Sequence, residues 1–296
     1  DLLDIPFYVW DFSEQFQAEV VDDFIAEYRA GRTPNPCLRC NEKIKFAAVL
    51  ERGLALGFDA VATGHYARVV DNGSELELHR AADPDKDQSY VLGVLNQDQL
   101  RRSLFPLADT PKPQVRAEAH SLGLRVADKP DSYDICFIPD GDTQGYLRAH
   151  LGETPGPIVD RSGTELGRHR GHHGFTIGQR KGLDLRVPAP DGNPRYVLRI
   201  EPASNRVVVG PGESLLVTNL AGIRPTWTQH RVPGSWRGQV QYRAHGAALS
   251  ATITTTGDDQ VRVELDEPTR GVAPGQSMVF FDATRVVGSA TISGTS

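Results

Sequence analysis

The feature that most constrains this chain is a change of pattern near Gly152. Before it, apolar residues recur with helical and strand periods in alternation. After it, long helical patterns stop, and short β-rich runs follow one another between Gly, Pro, Asn and Asp. One domain type does not carry both patterns, and 296 residues leave room for two or three cores. The stretch Gly152-Glu153-Thr154-Pro155-Gly156-Pro157 reads as the boundary.

In the first half, Asp11-Phe12-Ser13-Glu14 resembles a capping box. Phe16, Val20, Val21, Phe24, Ile25 and Tyr28 then mark one face of a helix that Gly31 closes. Two prolines flanking Asn35 predict a rigid loop from Thr33 to Cys40, and Asn41 is predicted to cap a second helix running to about Gly57. That loop would deliver Cys37 and Cys40 to a helix amino end, where the dipole lowers a thiol pKa. Residues 59–63 read as a short buried strand with Gly64-His65-Tyr66 at its carboxyl end, the edge where open α/β sheets bind ligands. His65 is equally compatible with an ordinary packed histidine. A strand is predicted over 74–79, a polar loop over 83–88, and helices over 97–104 and 113–122.

Past Gly152 the predicted strands are 196–200, 206–209, 238–243, 249–255, 260–265, 277–281 and 285–292. Gly210-Pro211-Gly212 reads as a hairpin turn. The spacing predicts a small β-domain followed by a barrel or sandwich. The expected domains are 1–150, 151–212 and 213–296.

A net charge of −6 argues against indiscriminate coating of nucleic acid, which rests on Lys and Arg neutralising phosphates. Charge is nevertheless uneven. Residues 1–30 hold eight acidic side chains against one Arg, whereas 161–186 hold six basic against two acidic, with His169, His172 and His173 besides. Such a stripe fits a specific polyanion or a solvated face, and Arg180 and Lys181 are its candidate contacts. No apolar stretch approaches the roughly 20 residues of a membrane span, and the acidic amino end does not read as a secretory signal. A soluble cytoplasmic protein without membrane partners is expected. Because the first residue is Asp1 and not Met, a processed product or fragment is also expected.

Three cysteines, an odd and small number, point to a reducing compartment. Cys136 between Ile135 and Phe137 has the setting of a small buried hydrophobe. Cys37-x-x-Cys40 fits half a zinc site or a redox pair, but no second ligand pair stands at zinc-like spacing.

The motifs taken together are more specific. Arg32-Thr33-Pro34-Asn35-Pro36-Cys37-Leu38-Arg39-Cys40-Asn41-Glu42-Lys43-Ile44-Lys45-Phe46, Ala62-Thr63-Gly64-His65-Tyr66, Lys86-Asp87-Gln88-Ser89-Tyr90, Ile135-Cys136-Phe137-Ile138, Gly178-Gln179-Arg180-Lys181-Gly182-Leu183 and Pro274-Gly275-Gln276 occur in that order. They resemble the motifs of the bacterial tRNA-specific 2-thiouridylases, from about Ile5 to Ile292. The resemblance implies an α/β domain like the adenine-nucleotide alpha-hydrolases, a small β-rich central domain and a C-terminal β-barrel. It also implies a sulfurtransferase that places sulfur on the wobble uridine of certain tRNAs, consuming ATP with Mg2+ as substrate and no tightly bound cofactor.

In that family the uridine oxygen is first adenylated, because a carbonyl oxygen is a poor leaving group, and a cysteine persulfide then supplies sulfur. By position Cys136 corresponds to the persulfide carrier and Cys40 to the thiol that attacks it, leaving a Cys40–Cys136 disulfide; an alternative route releases hydrosulfide first. Both require the two cysteines within disulfide reach. Asn35, Pro36 and Cys37 fall at target-base positions, where some members carry an Asp in place of Cys37. Gly64 matches a residue beside the nucleotide. His65, Lys86, Asp87, Gln88, Gln241, Tyr242 and Gln276 match tRNA-binding positions. The implied partners are tRNA and a persulfide donor, either a cysteine desulfurase or a sulfur-relay protein.

One departure stands out. The family's Ser-Gly-Gly-x-Asp-Ser phosphate loop is absent from these residues, and Asp1 aligns past it. The expectation is an incomplete record or truncated product that binds ATP poorly, and the competing readings are a non-catalytic RNA-binding remnant and a zinc-bound structural domain using Cys37 and Cys40.

Overall fold

The computed structural model describes residues 5–129, 135–185, 192–231, 234–257 and 259–296. Ser13–Phe16, Gln17–Val21 and Asp22–Arg29 follow one another as one long helix, the middle stretch a π turn. Its buried residues Val20, Val21, Phe24 and Ile25 belong to the predicted apolar face. The predicted capping box does not form. Asp11 instead accepts from the Ser13 amide at 2.9 Å, and Phe12 occupies the cap position without a side-chain bond.

The second long helix begins earlier than the prolines suggested. It runs through Pro36–Cys40, Asn41–Ala48 and Val49–Ala55. Asn35 caps it, with Oδ1 accepting from the amides of Cys37 at 3.1 Å and Leu38 at 3.4 Å. Pro36 at the first helical position has no amide hydrogen to lose, so it starts the helix where a loop was expected. Asn41 is therefore no cap. It is 1% exposed and its Nδ2 donates to the Val91 carbonyl at 2.8 Å.

Strands β1 (Val61–Ala62), β2 (Ala67–Asp71), β3 (Leu76–Arg80) and β4 (Ser103–Leu104) complete the first part with the helices Ser89–Leu92, Gln97–Arg101 and Lys112–Ser121. β1 and β4 pair in parallel, the α/β layer of the fold, but β1 is only partly covered and not the buried strand expected. After the helix Thr143–Leu151, strands β5 (Gly156–Val159), β6 (Glu165–His169), β7 (Arg195–Glu201) and β8 (Arg206–Pro211) form a sheet in the order β6-β5-β8-β7. Ile158, Val197, Val207, Val209 and Phe175 fill its core. Gly212–Leu215 then makes a 3-10 turn into the next strand, where a hairpin was expected.

The last part is a closed antiparallel barrel. β9 (Leu216–Trp227), β10 (Ser235–Gln241), β11 (Leu249–Thr255), β12 (Gln260–Arg270), β13 (Ser277–Asp282) and β14 (Arg285–Thr295) pair in the order β13-β10-β11-β12-β9-β14, and β13 pairs with β14 to close it. The long strand β9 carries Gly222 and Pro225, which read as turn residues in isolation. Gly222 in fact serves the core. A Cβ there would overlap Met278 Cε and meet Ala290 Cβ at 3.0 Å.

The first part and the barrel share one core. The β2–β3 hairpin adds to the barrel sheet through the pairs Arg285↔His79 and Val286↔Leu78. Leu38, Phe46, Leu78, Leu92, Leu95 and Phe105 pack in one cluster with Val279, Phe281 and Val286. Arg80 lies over this seam with its guanidinium 3.7 Å from the Phe281 ring centroid. It donates to Asp87 Oδ2 at 2.8 Å and to Gln241 Oε1 at 3.0 Å. Asp87 also accepts from the Ala81 and Ser89 amides and the Ser89 hydroxyl. Its side chain is 7% exposed, so removing the guanidinium leaves a charge with little water to replace it. Arg80→Leu is expected to cost about 3 kcal/mol, the lower end for breaking such a pair. Urea unfolding measures this, and in an Asp87→Asn background the same substitution should cost clearly less.

A candidate thiol site at the start of the second long helix

Cys37 and Cys40 sit one turn apart at the start of the second long helix, on one face by their spacing. Between them Leu38 is buried and fixes which way that face turns. Asn35 is held from both sides. Its Oδ1 caps the helix, and its side chain also hydrogen-bonds Tyr90, whose hydroxyl donates to the Ser277 carbonyl of the barrel at 2.9 Å. Gly275 follows the same logic. It has φ +91°, and a Cβ there would come within 2.9 Å of both Arg32 Cβ and the Thr33 amide nitrogen. The barrel thus closes directly on the segment leading into the cysteines, with the Thr33 amide donating to the Pro274 carbonyl at 2.8 Å.

Cys136 reaches this place from a turn far along the chain. Ile135 and Phe137 pack into the aromatic group around the first long helix, with the Phe137 ring 5.3 Å from Phe24 and 5.8 Å from Phe16. The cysteine between them is exposed, so the reading of Cys136 as a small buried hydrophobe is corrected. Its neighbours are the anchors. Residues 130–134, the start of the same motif, lie outside the described residues.

All three cysteines are free thiols, and they interact electrostatically. Cys37 is open to solvent at its surface. The surrounding protein pushes its thiol above the usual range, Cys136 adds to this, and the Lys45 ammonium opposes it. For Cys40 burial again raises the thiol most, Lys45 opposes, and Cys136 and Cys37 raise it further. The expected lowering at a helix amino end is therefore overturned. Desolvation of the thiolate outweighs the nearby positive charge.

Lys45 also faces His65. Its Nζ lies 3.5 Å from His65 Nε2, while Thr63 Oγ1 lies 2.8 Å from Nδ1. An ammonium only donates, so Nε2 carries the lone pair and Nδ1–H donates to Thr63. Burial first, and Lys45 second, depress the imidazole to about 4. His65 is 8% exposed and packs beside Phe46 and Phe105, so its ring is enclosed and neutral.

Other residues singled out in the sequence divide by exposure. Gly64 is exposed, and the nearest atom to a Cβ there would be Leu107 Cδ1 at 4.0 Å, so backbone and open space meet at the end of β1. Gln88 is exposed and Lys86 is partly so, in the loop after β3. Asp87 turns inward to Arg80. Gln241 is buried, with Nε2 donating to the carbonyls of Arg243 and Ala244. Tyr242 is buried too, its hydroxyl bonded to Thr269 and the Arg270 carbonyl. Gln276 is half-buried, its Oε1 accepting from the Ala273 amide at 3.4 Å. Pro36 is buried beneath the cap. Arg180 and Lys181 lie on an exposed turn. Among the described residues no group of three or more His, Cys, Asp and Glu could hold a metal ion, and no helix is long and apolar enough to cross a membrane.

Sequence reasoning missed Lys45 and Arg80. The signal for Lys45 was its position two helical turns after Cys37 on the same face. Arg80 had no such signal, because its partners come from three separate elements.

Comparison with known proteins agrees with this organisation. Residues 1–140 match a family described as tRNA methyl transferase HUP domain, 144–211 its PRC-barrel domain, and 217–292 an aminomethyltransferase beta-barrel domain. A protein of Acidothermus cellulolyticus named tRNA-specific 2-thiouridylase MnmA is 62% identical over 295 residues, covering 100% of this chain and 81% of its own length. Proteins of the same name from Cutibacterium acnes and Streptomyces avermitilis are 63% and 59% identical, again over 100% of this chain and 80% and 79% of their own. The chain belongs to the tRNA-specific 2-thiouridylase family.

Proposed function

We propose that this protein carries out ATP-dependent 2-thiolation of uridine in tRNA, at the wobble position. The observation that carries the reading is the grouping of three free thiols: two on the first turn of one helix and a third, from a distant turn, close enough for its charge to act on them. ATP is a substrate, taken with Mg2+, and Gly64 at the open end of β1 is the nucleotide-side residue.

Chemistry follows in balanced steps. The uridine carbonyl oxygen attacks the α-phosphate of ATP and pyrophosphate leaves, which turns a poor leaving group into AMP. Cys136 holds a persulfide loaded by a cysteine desulfurase or sulfur-relay protein. The Cys40 thiolate attacks Cys136 Sγ, the bond to the outer sulfur breaks, and that sulfur leaves with the electron pair to add to the activated carbon. AMP departs, and a Cys40–Cys136 disulfide remains for a dithiol reductant to open. Of the three target-base positions Cys37 faces the base, while Asn35 caps the helix and buried Pro36 starts it, so these two hold Cys37 in place. A thiol pushed above its usual range is protonated near neutral pH, so Cys37 suits the donation of a proton and not its removal.

The tRNA-binding positions take two roles. Lys86, Gln88 and Gln276 present side chains at or near the surface and contact the RNA. His65, Asp87, Gln241 and Tyr242 are turned inward and hold the surface in shape. A cytoplasmic location is consistent with tRNA as substrate.

Cys136→Ser is expected to abolish thiolation of tRNA while leaving tRNA affinity within about twofold, read by mass spectrometry of the nucleosides and by filter binding. Thiolation at the wild-type rate in that variant would sink the carrier assignment. ATP consumption separates catalysis from a binding-only remnant, because intact tRNA affinity with no nucleotide turnover favours the latter. The titration of the thiols gives a second test. Iodoacetamide labelling of Cys40 should rise with pH only above the range of an ordinary cysteine, and Lys45→Gln should shift that rise further upward, because the ammonium stabilises the thiolate. A downward shift in Lys45→Gln contradicts the electrostatic reading.

A further inference from the structure

A second concave site lies in the central sheet, away from the thiols and assigned to nothing in the reaction above. It is a cavity of about 360 Å3 between the helix Thr143–Leu151 and the end of β6. Arg148, Arg168 and Arg170 line it with His169 and His173, and Asp184 is the one carboxylate among the described lining residues. The guanidinium groups are weakly committed. Arg168 and Arg170 reach exposed glutamates only at 3.4 and 3.5 Å, and Arg148 forms no ion pair among the described residues. Such pairs hold their partners with little free energy.

The two histidines add an independent observation. They are 5% and 4% exposed, yet His169 Nδ1 and His173 Nε2 have no hydrogen-bond partner. Buried polar atoms nearly always have one. His169 Nε2 faces the Asn205 carbonyl at 3.2 Å and must donate to it, which in the neutral ring leaves Nδ1 as an acceptor for a hydroxyl such as the ribose 2′-OH and not for a phosphate oxygen. Burial keeps both rings below the usual imidazole range.

We infer that this cavity binds a phosphodiester of the RNA backbone, with the arginines on the phosphate oxygens. The inference rests on the tRNA reading above. Three guanidinium groups exclude a cation, and their planar forks match phosphate oxygens. The volume is at the low end of about 300–1,000 Å3 for small-ligand sites. Among the described lining residues the sizeable apolar ones, Phe175 and Leu183, are themselves buried and offer a base little to stack on. The phosphate–sugar portion is what fits. Within the basic stripe, the anion site is thus this cavity and not the exposed turn of Arg180 and Lys181.

The test uses the whole chain and tRNA across a salt series. Arg148→Gln/Arg170→Gln should weaken tRNA binding about tenfold at 0.1 M salt and lower the slope of log affinity against log salt by about 1. Asp184→Asn should move affinity the other way, a gain that misfolding does not produce. Unchanged affinity and slope in the arginine variant, with normal binding by the wild type, overturns the cavity assignment alone. Failure of the wild type to bind tRNA overturns the tRNA reading with it. Inorganic phosphate, titrated by calorimetry, distinguishes the source: arginine-dependent phosphate binding without any effect on tRNA affinity assigns a free phosphoryl ligand and overturns the RNA phosphodiester.

Discussion

The Arg80 guanidinium is the interaction on which the arrangement of this protein turns. It lies on Phe281 of the barrel, pairs with Asp87 in the loop after β3, and donates to Gln241 of β10. Each contact alone is worth little, and the buried carboxylate would be a liability without it. Together they lock the β2–β3 hairpin to the barrel over a shared apolar core. That lock places Gly275 against Thr33 and Ser277 beneath Tyr90, so the barrel supports the very segment that presents Cys37 and Cys40. The barrel and the segment that carries Cys37 and Cys40 are consequently joined through one shared core at this seam.

Two opposed effects set the chemistry of the thiols. Burial strips water from the thiolates of Cys37 and Cys40 and raises their pKa, while Lys45 returns part of that cost. Burial keeps His65 neutral and the same ammonium adds to this, so one charge acts on both sides of the site. A thiol kept protonated until a partner or substrate changes its surroundings is protected from casual oxidation, because the thiolate is the reactive species.

Much of the fold was legible because local rules and tertiary context agree. The first helix, most barrel strands and the change to β-structure after Gly152 follow from periodicity and turn residues. Where reading failed, a residue with two meanings was taken in the commoner one. Pro36 was taken as a breaker, but at the first helical position it is a starter. β9 was not among the expected strands, and it carries Pro225 and a Gly222 that core packing requires. Asn41 has the chemistry of a cap, but it is spent on the Val91 carbonyl inside the helix. The inward residues Asp87, Gln241 and Tyr242 could not be told from outward ones, because polarity does not record which way a side chain turns.

By itself the sequence determined the class of chemistry: three thiols in recognisable motifs, an α/β part, a change to β-structure, and a basic stripe on an acidic chain. These are properties of residue type and spacing, and they survive without coordinates. Tertiary structure alone decided that Cys136 is exposed while its neighbours are the anchors, that burial outweighs the Lys45 charge at Cys37 and Cys40, and that three arginines line one cavity. The physical reason is common to all three. Exposure, desolvation and charge convergence depend on what packs around a group, and the groups concerned are brought together from elements far apart in the chain.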